Sequence, residues 1–189
     1  MRLEGERRIA APRERVWAAL DDPQVLRRCI PGCESLERED AAKMSAVATV
    51  RIGPVKARFR GTLTLDEVQP PEGLRIRGQG QGGAAGFAQG EANVALVANG
   101  DATVLRYAVD TQVGGKLAQI GGRLIDQSAR AMAESFFAAL DAEIAGPPEE
   151  PIAAPTNTVD SEEKPASSLR LAAAIVVAVA VAALAWFVL

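Results

Sequence analysis

The sequence contains no histidine. That absence removes the commonest general base, the Ser-His-Asp arrangement and every His-ligated metal site. Cysteine is limited to Cys29 and Cys33, separated by Ile-Pro-Gly. Two thiols cannot complete a zinc site, and Cys-x3-Cys is not the Cys-x2-Cys spacing of thiol oxidoreductases. They read as ordinary reduced cysteines of a reducing compartment. A basic excess is also missing: 21 Lys and Arg stand against 24 Asp and Glu. Of these, Glu149, Glu150, Asp160, Glu162, Glu163, Lys164 and Arg170 lie after residue 146. Removing them leaves a neutral remainder, which gives non-specific nucleic-acid binding little support.

The chain does hold one long apolar run. Leu171–Leu189 consists only of Leu, Ala, Ile, Val, Trp and Phe. At a helical rise of about 1.5 Å per residue it measures roughly 28 Å, close to the ~30 Å core of a bilayer. A buried helix of a soluble domain needs a polar stripe, and this run has none. Trp186 and Phe187 sit at the far end, where amphipathic rings favour the interface, and Lys164 and Arg170 precede the run. The expectation is a single-pass helix in the cytoplasmic (inner) membrane, with the N-terminal domain facing the cytoplasm. Its C-terminal position excludes a signal peptide. Ala174, Ala178 and Ala182 form a small-residue row that serves either helix pairing or lipid contact. Upstream, Pro147–Ser168 is rich in Pro, Ala, Ser and Glu and reads as a disordered acidic linker with a reach of roughly 25 Å. The expected division is a domain over 1–146, a linker over 147–168 and a membrane tail over 169–189.

Within the domain, Leu3–Ile9 reads as a strand. Pro12 and Asp22-Pro23 open two short helices, with Val16, Trp17, Leu20, Val25 and Leu26 inward. From Met44 the period is two: Met44–Ile52, a Gly53-Pro54 turn, Val55–Leu65, a Pro70–Gly73 turn, then Leu74 and Ile76. Ala88–Val97 and Val104–Val113 flank Asn99-Gly100, a hairpin signal. From Leu117 a helical stripe runs through Ile120, Leu124, Ala131 or Met132, Phe136, Leu140 and Ile144, and Gly146-Pro147 ends it. The order predicts an α+β fold: a curved antiparallel sheet gripping one long C-terminal helix, with an apolar cavity between them.

Several segments resemble one family in order: Gly5-Glu6-Arg7-Arg8-Ile9, Val16-Trp17, Cys29 to Leu36, Ile52-Gly53-Pro54-Val55-Lys56, Gly82 to Phe87, and Val113 to Gln119. They resemble the CoxG family, the G subunit of aerobic carbon monoxide dehydrogenase, over roughly residues 1–145. That family is similar in fold to the START-like, helix-grip lipid-binding domains. The resemblance implies a non-catalytic accessory protein that associates a molybdenum hydroxylase with the membrane. It further implies a cavity that carries an isoprenoid quinone, menaquinone or ubiquinone, as a ligand that is not covalently bound.

The candidate cavity lining is Trp17, Phe59, Ile76, Phe87, Tyr107, Leu117, Ile120, Gly121, Leu124 and Phe136. Gly78-x-Gly80-x-Gly82-Gly83 fails the Gly-x-Gly-x-x-Gly spacing and lies between strands, so a dinucleotide site is not expected. Gly82, Gly83 and Gly86 form either a loop at the cavity mouth, with Phe87 as a plug, or a plain tight turn. Gly121 and Gly122 fall inside the expected helix, where glycine serves either close helix–sheet packing or a planar ring. Tyr107 is expected inward, its hydroxyl on a quinone carbonyl or a core group. Arg51, Lys56, Arg58, Arg60, Arg75 and Arg77 form a basic outer face that either docks the dehydrogenase or lipid headgroups, or is merely solvated. A pure structural anchor without ligand is the rival reading. An enzyme of the cyclase type is the weakest, since no inward carboxylate stands out.

Overall fold

A computed structural model describes residues 2–146. Strand β1 (Arg2–Ile9) is followed by helices α1 (Arg13–Asp21) and α2 (Pro23–Cys29). The Asp22 carboxylate accepts the Gln24 amide at 2.7 Å and Pro23 occupies the first turn, which starts α2 as its sequence requires. Strands β2 (Cys33–Arg38), β3 (Lys43–Ile52), β4 (Val55–Gln69), β5 (Gly73–Gln81), β6 (Phe87–Asn99) and β7 (Ala102–Gly114) come next, and helix α3 (Gly122–Ala145) ends the described chain.

The seven strands form one antiparallel sheet in the order β1-β7-β6-β5-β4-β3-β2. Alternation sets its two faces. Met44, Ala46, Ala48, Val50 and Ile52 of β3 are buried, while Lys43 and Arg51 on the opposite parity are exposed. Helix α3 reaches both flanks of the sheet. Phe137 lies 5.7 Å from the Tyr107 ring on β7, and α3 also contacts β3, four places along the strand order. Four spacings of about 4.8 Å in a flat sheet exceed the ~10 Å width of a helix, so the sheet must curl around α3. The inner faces of sheet and helix, with α1 and α2 closing one end, form a single apolar core.

The structure corrects two expectations. Strand β2 went unread because Leu36 is its one buried residue, so this edge strand shows no alternation. The helix expected from Leu117 begins at Gly122. Leu117 to Gly121 form a 3-10 turn and a break, with Gly121 at φ +99° and ψ 133°. Consecutive glycines are poor helix formers, and only glycine adopts that conformation freely. The stripe therefore shifts: α3 buries Ile125, Ala129, Ala133, Phe136, Phe137, Leu140 and Ile144. Ala131 is exposed, and Leu124 and Met132 flank the buried face.

Among the described residues no helix is long and apolar enough to cross a membrane. The expected linker over 147–168 and the expected tail over 169–189 lie outside those residues.

Candidate functional site

Helix α3 is held unevenly. Its C-terminal half carries the large buried side chains and the ion pairs. Arg7, on the inner parity of β1, donates to Asp141 at 2.7 Å and lies 3.9 Å from Glu134. Arg28 of α2 makes a two-pronged pair with Glu143 at 2.7 Å. The N-terminal turn has no side-chain cap and begins with exposed Gly122 and Arg123. It is tied down by buried Ile125 and by Leu124, whose Cδ2 sits 2.7 Å from where a Cβ on Gly53 would lie, at the β3–β4 hairpin tip. The N-terminal turn is thus the end of α3 that costs least to move.

A cleft of about 500 Å³ opens at that end. Strand β1 pairs with β7 only as far as Asp110, so Gln112–Gly114 have no described partner strand on that side. The cleft lies between this edge and the first turn of α3. Its apolar walls are Phe87, Val113, Ala118 and Ile125, and Thr111, Gln89, Gln112 and Asp126 supply the polar groups. Ile125 and Thr111 are themselves buried, so the cleft wall is continuous with the core. The cleft is thus of small-molecule size, with one apolar side and one polar side.

The expected lining divides into three groups. Trp17, Phe59, Ile76, Leu117 and Phe136 are all buried, and the last four are 1% exposed or less. They pack as core rather than lining the cleft. Leu117 anchors the β7–α3 connection, its amide bonded to the Ala85 carbonyl at 3.0 Å. Ile120, Gly121 and Leu124 neighbour lining residues in sequence but do not line the cleft: Ile120 and Leu124 are half-buried, and Gly121 is exposed. Tyr107 points inward as expected, but its ring covers Gly5, where a Cβ would come within 2.5 Å of the phenol oxygen. The hydroxyl is therefore directed at β1. Burial, with Glu134 adding to it, raises the phenol pKa.

Phe87 falls at the cleft mouth. It lies on the outer parity of β6 against Gly114, is 41% exposed, and contributes to the cleft rim. Gly82 to Gly86 form a tight 3-10 turn with Ala85 buried. Gly86 (φ +116°) and Gly115 (φ +79°) approach so closely that a Cβ on Gly115 would fall 2.5 Å from the Gly86 Cα. The glycines serve that backbone contact.

The basic outer face also divides. Arg58 binds Glu34 at 2.6 Å, and Thr49 donates to the same carboxylate at 2.7 Å. Those bonds hold the Glu34 pKa below the ordinary glutamate value. Arg77 pairs with Asp66 at 2.6 Å, and Arg75 with Glu67 at 2.9 Å. Arg51, Lys56 and Arg60 make no ion pair among the described residues and stay exposed near the β3–β4 tip. Lys116 from the β7–α3 connection and Arg123 from the first turn of α3 join them at this end, a grouping that separate strand and helix readings do not reveal. Cys29 is buried and its thiol is pushed up to about 12; Cys33 is pushed up to about 11 by the same desolvation. Among the described residues no acidic or thiol cluster can hold a metal ion.

This architecture has solved counterparts. A conserved protein from Geobacillus kaustophilus is 32% identical with a TM-score of 0.73, over 77% of this chain and 95% of that one. A START superfamily protein from Mycobacterium smegmatis (16% identical, TM-score 0.58, 76% and 97% covered) shares the fold. So does the Zhui aromatase/cyclase from a Streptomyces species (17%, 0.56, 77% and 93%). No curated protein matches the chain. The family model for the G subunit of carbon monoxide dehydrogenase (CoxG) matches residues 5–145, nearly the whole described domain, and the chain belongs to that family.

Proposed function

We propose that the protein is a non-catalytic accessory subunit of a carbon monoxide dehydrogenase that carries an isoprenoid quinone between the membrane and the enzyme. The observation that carries this reading is the cleft between β7 beyond Asp110 and the first turn of α3. Phe87, Val113, Ala118 and Ile125 form its apolar side, it is of ligand size, and buried Ile125 joins it to the core. A long-tailed quinone needs such a shelter to leave a bilayer. The lightly held N-terminal turn of α3 is the element that yields to admit the isoprenoid tail beside Ile125, Val113 and Ala118. The apolar run Leu171–Leu189 tethers the domain, so the ligand site stays within reach of the bilayer. Membership of the CoxG family supports the dehydrogenase as partner.

One specific observation favours the rival reading of a structural anchor. Phe59, Ile76, Leu117 and Phe136 are so completely packed that the inner face already forms a continuous core. The two readings are separated by extracting the purified full chain with organic solvent and analysing the extract by mass spectrometry. The carrier reading expects an isoprenoid quinone near one equivalent, and thermal protection when quinone is added back. An extract without quinone, together with no protection, leaves the anchor.

A further inference from the structure

The charges of this neutral domain are segregated along its length. The β3–β4 tip, the 82–86 turn and the β7–α3 connection all lie at the end where the cleft opens. That end carries Arg51, Lys56, Arg58, Arg60, Lys116 and Arg123 against Glu34 and Asp126. The N-terminus of α3 opens there too and adds partial positive charge. The turns at the opposite end carry Glu39, Asp40, Glu67, Glu72 and Asp101, of which Glu39, Glu67 and Glu72 are paired with Lys43, Arg75 and Arg13. Positive charge is therefore in excess at the cleft end, while acids and bases largely offset one another at the other. Phe87, one of the two exposed large apolar side chains among the described residues, stands on the same rim. Cations ringing an exposed aromatic suit a headgroup interface, where charge meets anionic lipid and the ring enters the apolar boundary.

We infer that the cleft end of the domain docks on an anionic bilayer surface, through Arg51, Lys56, Arg60, Lys116, Arg123 and the Phe87 ring. The inference deepens the carrier reading and rests on it for its purpose, since docking end-on brings the cleft to the lipid without exposing a bound quinone to water. The chain permits this orientation. Helix α3 spans roughly 36 Å at ~1.5 Å per residue and ends at the opposite pole of the domain. The residues between Gly146 and Leu171 reach about 80 Å when fully extended, enough to return from that pole to the membrane.

The test uses the full chain in nanodiscs of phosphatidylglycerol or phosphatidylcholine. A fluorophore is placed by Ala84→Cys at the cleft end or by Ala41→Cys at the opposite end, with an acceptor on the headgroups. Both sites are exposed, while the native thiols are buried or half-buried. The expected result is high transfer from position 84 and low transfer from position 41 in phosphatidylglycerol, with the difference lost in phosphatidylcholine and in high salt. Each surface cation contributes about fivefold to such an association. Replacing Arg51, Lys56 and Arg123 together by Gln should therefore lower the docked-to-free ratio about a hundredfold. The same number of changes away from the cleft, Arg15→Gln, Lys43→Gln and Arg106→Gln, should leave it unchanged. Phe87→Ala should weaken docking while keeping its dependence on lipid charge.

Equal transfer from the two positions in phosphatidylglycerol overturns the inference. So does a triple variant that keeps its disc contact but loses the dehydrogenase, which makes this pole a protein dock. Docking by a protein that extracts without quinone leaves this inference standing and removes the carrier; quinone without docking does the reverse.

Discussion

Gly121 and Gly122 are adjacent, and replacing each by alanine should change stability in opposite directions. For both, a Cβ built on the backbone meets nothing within 4 Å, so the steric contribution is zero at either position and only backbone preference remains. Gly121 sits at φ +99° and ψ 133°. An L-residue held there costs about 1–3 kcal/mol. Gly122 is the first residue of α3 and has no positive φ. Alanine there reduces the freedom of the unfolded chain and stabilises by about 0.4–1 kcal/mol. For a domain of this size 1 kcal/mol corresponds to about 2–4 °C. Gly121→Ala should thus lower Tm by roughly 2–12 °C, and Gly122→Ala should raise it by roughly 1–4 °C. Differential scanning calorimetry of the two variants with the parent reads this directly. Both substitutions raising Tm would mean that the helix runs through Gly121, as its sequence alone implies, and would refute the break at the cleft mouth.

Three other outcomes follow from the same geometry. Phe136→Ala removes a ring that is 0% exposed and stacked edge-on to Phe137 at 5.4 Å. It should cost about 3–5 kcal/mol by urea denaturation, and a loss below about 1 kcal/mol would show that the position repacks freely. Glu34, Asp66 and Glu143 have pKa values lowered by hydrogen bonds, from Thr49 and Arg58, from Arg77 and from Arg28 respectively. Their stabilisation is complete above the ordinary glutamate value of 4.5 and is lost as pH falls through the lowered values. A combined Glu34→Gln, Asp66→Asn and Glu143→Gln variant should lose less stability on acidification than the parent; an identical pH profile would contradict the assignment. The thiols of Cys29 and Cys33, raised to about 12 and about 11 by burial, should react slowly with a disulfide reagent at about pH 8 and fully in denaturant. Rapid reaction of the folded protein contradicts their placement.

Where the sequence alternates over long stretches, as in Met44–Ile52 and Val55–Leu65, strand and face were both readable. Burial of one face imposes the period of two that the side chains record. The helix entry was not readable, because the stripe from Leu117 continues in apparent phase across Gly121. Only the backbone angle reveals the break. The cleft was legible in part. Phe87 of the expected lining falls on its rim, and Ala118, Val113 and Ile125 line it because β7 runs on past its last described β1 pair at Asp110. That is a register fact, and no local pattern encodes register. Phe87 stands on the outer parity of β6 because the turn at Gly83–Ala85 resets the strand parity just before it. The cations around the cleft lie on three segments far apart in sequence, so only folding assembles them.

Filling the cleft without disturbing the core separates a carrier from an anchor. Ala118 is exposed and lines the cleft, whereas Leu117 beside it is 1% exposed and would be overpacked by a larger side chain. Ala118→Trp in the full chain should leave the carbon monoxide dehydrogenase in the membrane fraction unchanged while abolishing carbon monoxide-dependent quinone reduction by those membranes. Unimpaired quinone reduction with the cleft filled would contradict the account and leave the protein as an anchor alone.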